Sequence, residues 1–191
     1  MKNELNIYRT FQNIFDNSKV IKGNFSIATA YGNSLDDEKV GEYITNELKP
    51  KAYPLVALFP PIDLPGDKFT TQKFKLIFVV KQKEGSIGIK DSLENNTSGH
   101  PIIFDWKDMS ECAYNFMAIM TKLSKSVLPK PFNFKTEMLE RFSSQGIHQL
   151  SGVALSFSME IPNGICENSE YEIEDLGALL STNDIHPQHQ H

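Results

Sequence analysis

Hydrophobic positions fall in two distinct periods along this chain. Over residues 4–18, Ile7, Tyr8, Phe11, Ile14 and Phe15 recur at spacings of three and four. That places them on one stripe of a helix, with Glu4, Arg9, Gln12 and Asp16 facing away. Gly23 and Asn24 follow as stop signals. Between Phe25 and Lys49 the pattern is mixed, with Phe25, Ile27 and Ala30 suited to a short strand and Ser34–Glu38 to a turn or helix start. The run Tyr53–Phe59, bounded by Pro54 and Pro60, is expected to be a strand buried on both faces or lying near an edge. Pro60–Asp67 is rich in turn formers and is expected to reverse the chain into Phe69–Val80. There Phe74, Leu76, Phe78 and Val80 alternate with Lys75, Ile77 and Val79, the period of a strand, so a long antiparallel hairpin is predicted.

Residues 83–103 carry glycine, serine and asparagine around Ile87, Ile89 and Leu93, and read as a long polar loop that could serve as a partner-contacting arm. Asp105 is placed to cap a second helix. Its apolar positions Trp106, Met109, Ala113, Phe116, Met117, Met120, Leu123 and Val127 recur at helical spacing until Pro129. A methionine and aromatic stripe of this period reads as core. Two strands follow. Phe132, Phe134, Thr136, Met138 and Glu140 share a face of the first, and Val153, Leu155, Phe157, Met159 and Ile161 a face of the second, with Ser143–Gly146 between them. The order helix, strand, strand, helix, strand, strand predicts an α+β fold, a mostly antiparallel sheet with two main helices packed on one face.

At 191 residues the chain suits one domain, which at this size buries about 70% of its unfolded surface. Apolar residues make up 40% and charged residues 23%, with 13 Phe, enough large apolar material to offset the entropy of ordering. Residues 1–166 read as the folded domain. Beyond Pro162-Asn163-Gly164 large apolar residues thin out and Glu167, Glu170, Glu172, Glu174 and Asp175 cluster, so 167–191 reads as a flexible or docking tail.

A formal charge of −5 argues against sequence-specific nucleic-acid binding, which draws on a surplus of lysine and arginine to release counterions. It suits the wall of a channel along which DNA must slide without sticking. Cys112 and Cys166 form no Cys-x-x-Cys pair and read as small hydrophobes in a reducing compartment. The N-terminus lacks the apolar core of a secretory signal, and the run 53–62 is too short and too broken by proline to cross a bilayer.

Catalytic signatures are missing from the sequence. It has no Gly-x-Ser-x-Gly, no phosphate-binding loop, no His-Glu-x-x-His and no dinucleotide fingerprint. Gly85-Ser86-Ile87-Gly88 lacks the lysine a phosphate loop requires. His100 and His148 read as solvent or capping histidines, His186, His189 and His191 as incidental, and Asp36, Asp37 and Glu38 as a solvated turn. No catalytic, cofactor-binding or metal-binding residue is therefore assigned, and no enzymatic activity is expected.

Several phrases resemble a known group. Tyr53-Pro54-Leu55-Val56-Ala57-Leu58-Phe59-Pro60-Pro61, the alternating strand through Phe74–Val80, the helix from Asp105, Leu150-Ser151-Gly152-Val153 and Ile161-Pro162-Asn163-Gly164-Ile165-Cys166 stand in an order similar to that of small neck and tail-completion proteins of tailed bacteriophages of Bacteroidetes hosts. The resemblance covers roughly residues 5–166. It implies a tail-terminator-like fold and a virion structural protein that assembles with itself into a ring, commonly a hexamer. That ring would terminate the tail or join it to the head connector, with neighbouring connector or tail-tube proteins as partners, DNA in the lumen and no cofactor. The long 83–103 segment and the His-ended tail depart from that pattern. A tail-tube or baseplate component would instead polymerise into tubes, and a non-viral adaptor of a conjugative or secretion apparatus would remain monomeric.

Overall fold

A computed structural model describes residues 2–28, 53–82, 102–126, 132–143 and 150–162. In chain order the elements are α1 (Lys2–Asp16), β1 (Phe25–Ile27), β2 (Leu55–Pro65), β3 (Phe69–Lys81), α2 (Ile102–Ser126), β4 (Asn133–Ser143) and β5 (Leu150–Pro162). The five strands form one mixed sheet in the order β1-β2-β3-β5-β4. β1 runs parallel to β2, and every other neighbouring pair is antiparallel. The protein has an α+β fold, with the expected element order and, at Phe25–Ile27, the short strand to which Phe25 and Ile27 are suited.

Helix α1 presents the predicted stripe. Phe11, Ile14 and Phe15 are buried, and Ile7 and Tyr8 pack at the margin of the same cluster. On its outer side the Gln12 amide donates to Asp16 Oδ1 at 2.6 Å. The chain then turns sharply. Gly23, with φ of 78°, donates its N–H to Phe15 O at 3.0 Å, and Lys22 takes the left-handed conformation beside it. A glycine meets that backbone demand without a Cβ penalty. Ser18 Oγ accepts from the Ile21 N–H at 3.1 Å, which tightens the same turn.

Both helices lie against one face of the sheet, the helix face. Phe11, Ile14 and Phe15 of α1 and Met109, Ala113, Phe116, Met120 and Leu123 of α2 meet Val56, Leu58, Phe74, Leu76, Phe78, Val153, Leu155, Phe157 and Met159. Phenylalanines carry the centre of this core. Phe11 makes edge contacts with Phe74, Phe116 and Phe157 at centroid distances of 5.8, 5.3 and 6.0 Å, and Phe74 stacks on Phe157 at 5.1 Å. Each such pair contributes about 0.5–1.5 kcal/mol beyond its area burial. The far face holds a second cluster of Ala28, Leu55, Ala57, Phe59, Ile77, Val79, Leu150 and Ala154. The apolar run of β2 is therefore buried on both faces, as its sequence predicts, and so is the middle of β3.

Four expectations are corrected. β2 does not end at Phe59: it continues through Pro60 and Pro61 to Pro65, with a register shift between Phe59 and Ile62. A bulge interrupts the ladder there, so prolines that lack an N–H are tolerated. The second correction concerns β4, where a register shift between Thr136 and Met138 inserts Glu137 and reverses the alternation. Phe134 and Leu139 both pack on the helix face, while Met138 is 49% exposed and pairs with Ser156, so Met138 and Glu140 do not share a face with Phe134 and Thr136. Third, α2 begins at Ile102, so the predicted 83–103 loop overlaps the helix by two residues; residues 83–101 lie outside the described ones. Finally, Asp105 sits inside the first turn of α2 and does not cap it.

Candidate functional site

Asp105 instead fastens the start of α2 to the sheet. Its carboxylate is buried and accepts the Ser151 hydroxyl at 2.8 Å. One residue on, the Trp106 indole N–H donates to Phe142 O at 2.8 Å. α2 is thus joined to β5 and β4 by two hydrogen bonds one residue apart. Gly152, next to Ser151, lies so close to β3 that a Cβ there would stand 1.9 Å from Phe78 O and 3.1 Å from Phe142 Cζ. This corner belongs to the Leu150-Ser151-Gly152-Val153 phrase singled out in the sequence, and its residue types follow from close packing. Nothing in the sequence pointed to the pairing of Asp105 with Ser151, because the partners lie on separate elements.

Among the described residues, no group of three or more His, Cys, Asp and Glu is arranged to hold a metal ion. Cys112 is half-buried on α2, and burial, with Asp108 and Glu111 adding to it, pushes its thiol up to about 12. A thiol in that state is a poor nucleophile at neutral pH. Burial also raises the Tyr53 phenol. Ser110 Oγ and Gln72 Oε1 are buried without a hydrogen-bond partner among the described residues, the first on α2 and the second on β3. They sit on separate elements and build no common site. Cys166, His100, His148, His186, His189, His191, the Asp36–Glu38 cluster and the tail 167–191 lie outside the described residues.

What the described surface offers is edges and apolar points. β4 has β5 as its one described neighbour, and Lys135, Glu137, Glu140 and Arg141 are exposed along it. Lys73 Nζ stands 3.8 Å from Glu137 Oε1 across the strands. Charges and a bulge on an outer strand discourage indiscriminate edge pairing. At the opposite edge, β1 is three residues long and ends in the half-exposed Ile27. Leu64 and Phe69 stand half-exposed around the β2–β3 turn, and Ile103, Phe104 and Tyr114 on the outer side of α2. α1 has Phe11, Ile14 and Phe15 of its apolar stripe buried in the core, which leaves Arg9, Asn13 and Asp16 outermost. No described helix is long and apolar enough to cross a membrane. No protein-family model and no curated protein matches the sequence.

Proposed function

We propose that this chain is a virion structural protein that assembles with itself into a ring at the neck of a tailed bacteriophage, terminating the tail or joining it to the head connector. One observation supports the reading. The phrases that carry the resemblance fall on β2, β3, α2 and β5, in that order, and three of these are the consecutive inner strands of one sheet. A head-to-tail ring needs two unlike surfaces on each copy, and the two unlike edges β1 and β4 supply a pair. In this reading the sheet and helices form the wall, DNA passes through the lumen without being bound in sequence, and the chain has no catalytic role.

Antibody-gold labelling of intact particles, viewed by electron microscopy, tests the reading. Label confined to the head–tail junction is the expected result. A particle free of label, with the epitope accessible in denatured virions as a control, would refute the neck assignment. Label along the whole tail would replace it with a tube component.

A further inference from the structure

We propose that the outer edge of β4 pairs antiparallel with the same edge of a second copy of this chain, joining two sheets into one. Among the described residues, β4 is the outermost strand at its end of the sheet, with β5 as its neighbour. It runs from Asn133 to Ser143 without a proline, so no position of its ladder lacks an N–H. The other edge is poorly suited to such pairing. β1 covers Val56–Leu58 of β2, and the part of β2 that runs past it carries Pro60, Pro61 and Pro65.

The bulge at Glu137 decides which residues share a face. Phe134, Thr136, Leu139 and Arg141 stand opposite Met159, Phe157, Leu155 and Val153, on the helix face. Lys135, Met138 and Glu140 stand opposite Ser158, Ser156 and Ala154, on the far face, where Glu137 also lies beside Lys73. Two β4 strands related by a twofold axis through the sheet keep helix face beside helix face, so only residues of one face can be opposed. One register achieves this from Phe134 to Arg141. Phe134, Lys135, Thr136 and Glu137 then face Arg141, Glu140, Leu139 and Met138 of the second copy, and each contact occurs twice. Lys135 and Glu140 are both exposed, so opposite charges meet across the axis, and Arg141 comes beside the Phe134 ring. Slipping by one residue either way sets Lys135 against Arg141, or Glu137 against its own counterpart, and like charges so opposed are destabilising. The charges and bulge that turn away a generic strand thus select this one. Met138, 49% exposed, lies in the middle of the stretch on the far face. On the helix face Met117 Sδ accepts the Thr136 hydroxyl at 3.2 Å, and Tyr114, about one turn before Met117 on α2, is 53% exposed. The pairing gives both a neighbour. It stops at Arg141, because Trp106 already holds Phe142 O.

This inference goes beyond the ring reading and does not rest on it. A β4 edge sealed by a second copy is closed to a ring neighbour, so the pair is a form of the free protein that ring growth has to open. Its test is sedimentation velocity of the full chain from about 1 μM to about 1 mM, the range in which so small an interface dissociates. A monomer–dimer equilibrium is the expected result. Lys135→Glu and Glu140→Lys should each weaken it at least about tenfold, and the chain carrying both should return to within about threefold of the parent, because the swap restores opposite charges in the same register. Lys68→Glu, the same change of net charge at the exposed β2–β3 turn, should alter it less than about threefold. All three positions are exposed, so the folded monomer should survive each change. A chain that stays monomeric throughout, a dimer indifferent to both reversals, or a double variant no stronger than either single one would overturn the proposal. A closed ring indifferent to Lys135→Glu would sink it and leave the ring reading standing, whereas a dimer that obeys the charge swap, from particles without label at the neck, would uphold it alone.

Discussion

Ser151 and Asp105 show how one residue pair holds an element in place. The hydroxyl of Ser151 is fully buried and donates to a buried carboxylate, so Ser151→Ala removes a charge-assisted bond that water cannot replace. The expected loss is about 1–3 kcal/mol, measured by urea unfolding, with Ser151→Thr less harmful because it keeps a hydroxyl. Its neighbour Gly152 is constrained by space. The close approach of Phe78 O leaves no room for a methyl, and Gly152→Ala should cost about 1–3 kcal/mol through strand displacement, seen in the same unfolding curves. Cys112 makes a pH prediction. Its thiol sits near 9 when unperturbed and near 12 in the fold, so between those values the folded state keeps a proton that the unfolded state releases. Stability should therefore fall as pH rises from about 9 towards about 12. Tyr53, also raised by burial, pulls in the same direction. Cys112→Ala should flatten the slope, and the native thiol should react with a maleimide at pH 8 far more slowly than the unfolded one.

At the scale of elements, the strands and helices whose apolar period is complete within the segment were legible in the sequence. Phe11, Ile14 and Phe15 announce α1, Met109 through Leu123 announce α2, and Val153 through Met159 announce β5. The two misread strands share a cause: a bulge is set by the register of two strands, and register does not show in either strand alone. Glu137 looks like one more alternating residue until β5 supplies the ladder, and Pro60-Pro61 look like a turn until β3 does. The short strand β1, three residues long, gives too little pattern for its pairing to be read. The reversal at Glu137 has a direct check. Leu139→Asp should destabilise the protein by at least about 2 kcal/mol, since it places a charge on the core side, whereas Met138→Asp should stay within about 0.5 kcal/mol. Unbroken alternation from Phe134 predicts the opposite ranking.

For the molecule as a whole, one aromatic cluster ties the layers together. Phe11 touches Phe74 and Phe157 of the two central strands and Phe116 of α2, so it joins both helices to the sheet. Phe11→Ala should cost about 3–5 kcal/mol and loosen α1 and α2 together, visible as faster hydrogen exchange in both helices. The functional surface was much less legible than the fold. Packing leaves a periodic trace in sequence, but an edge or an exposed apolar point is defined by what fails to cover it, and that depends on the finished arrangement.

The strand order carries a consequence in time. The centre of the sheet is β3 beside β5, so Phe74 meets Phe157 and Phe78 meets Val153, partners far apart in the sequence on either side of its midpoint. Contacts so distant in sequence close slowly. On a ribosome, β2, β3 and both helices emerge before the strand that completes their core, leaving Phe74, Phe78 and Phe116 without Phe157 and Val153 until β5 follows. A nascent chain stalled before Leu150 should therefore present its aromatic residues to chaperones, and release of β5 should be the event that hides them.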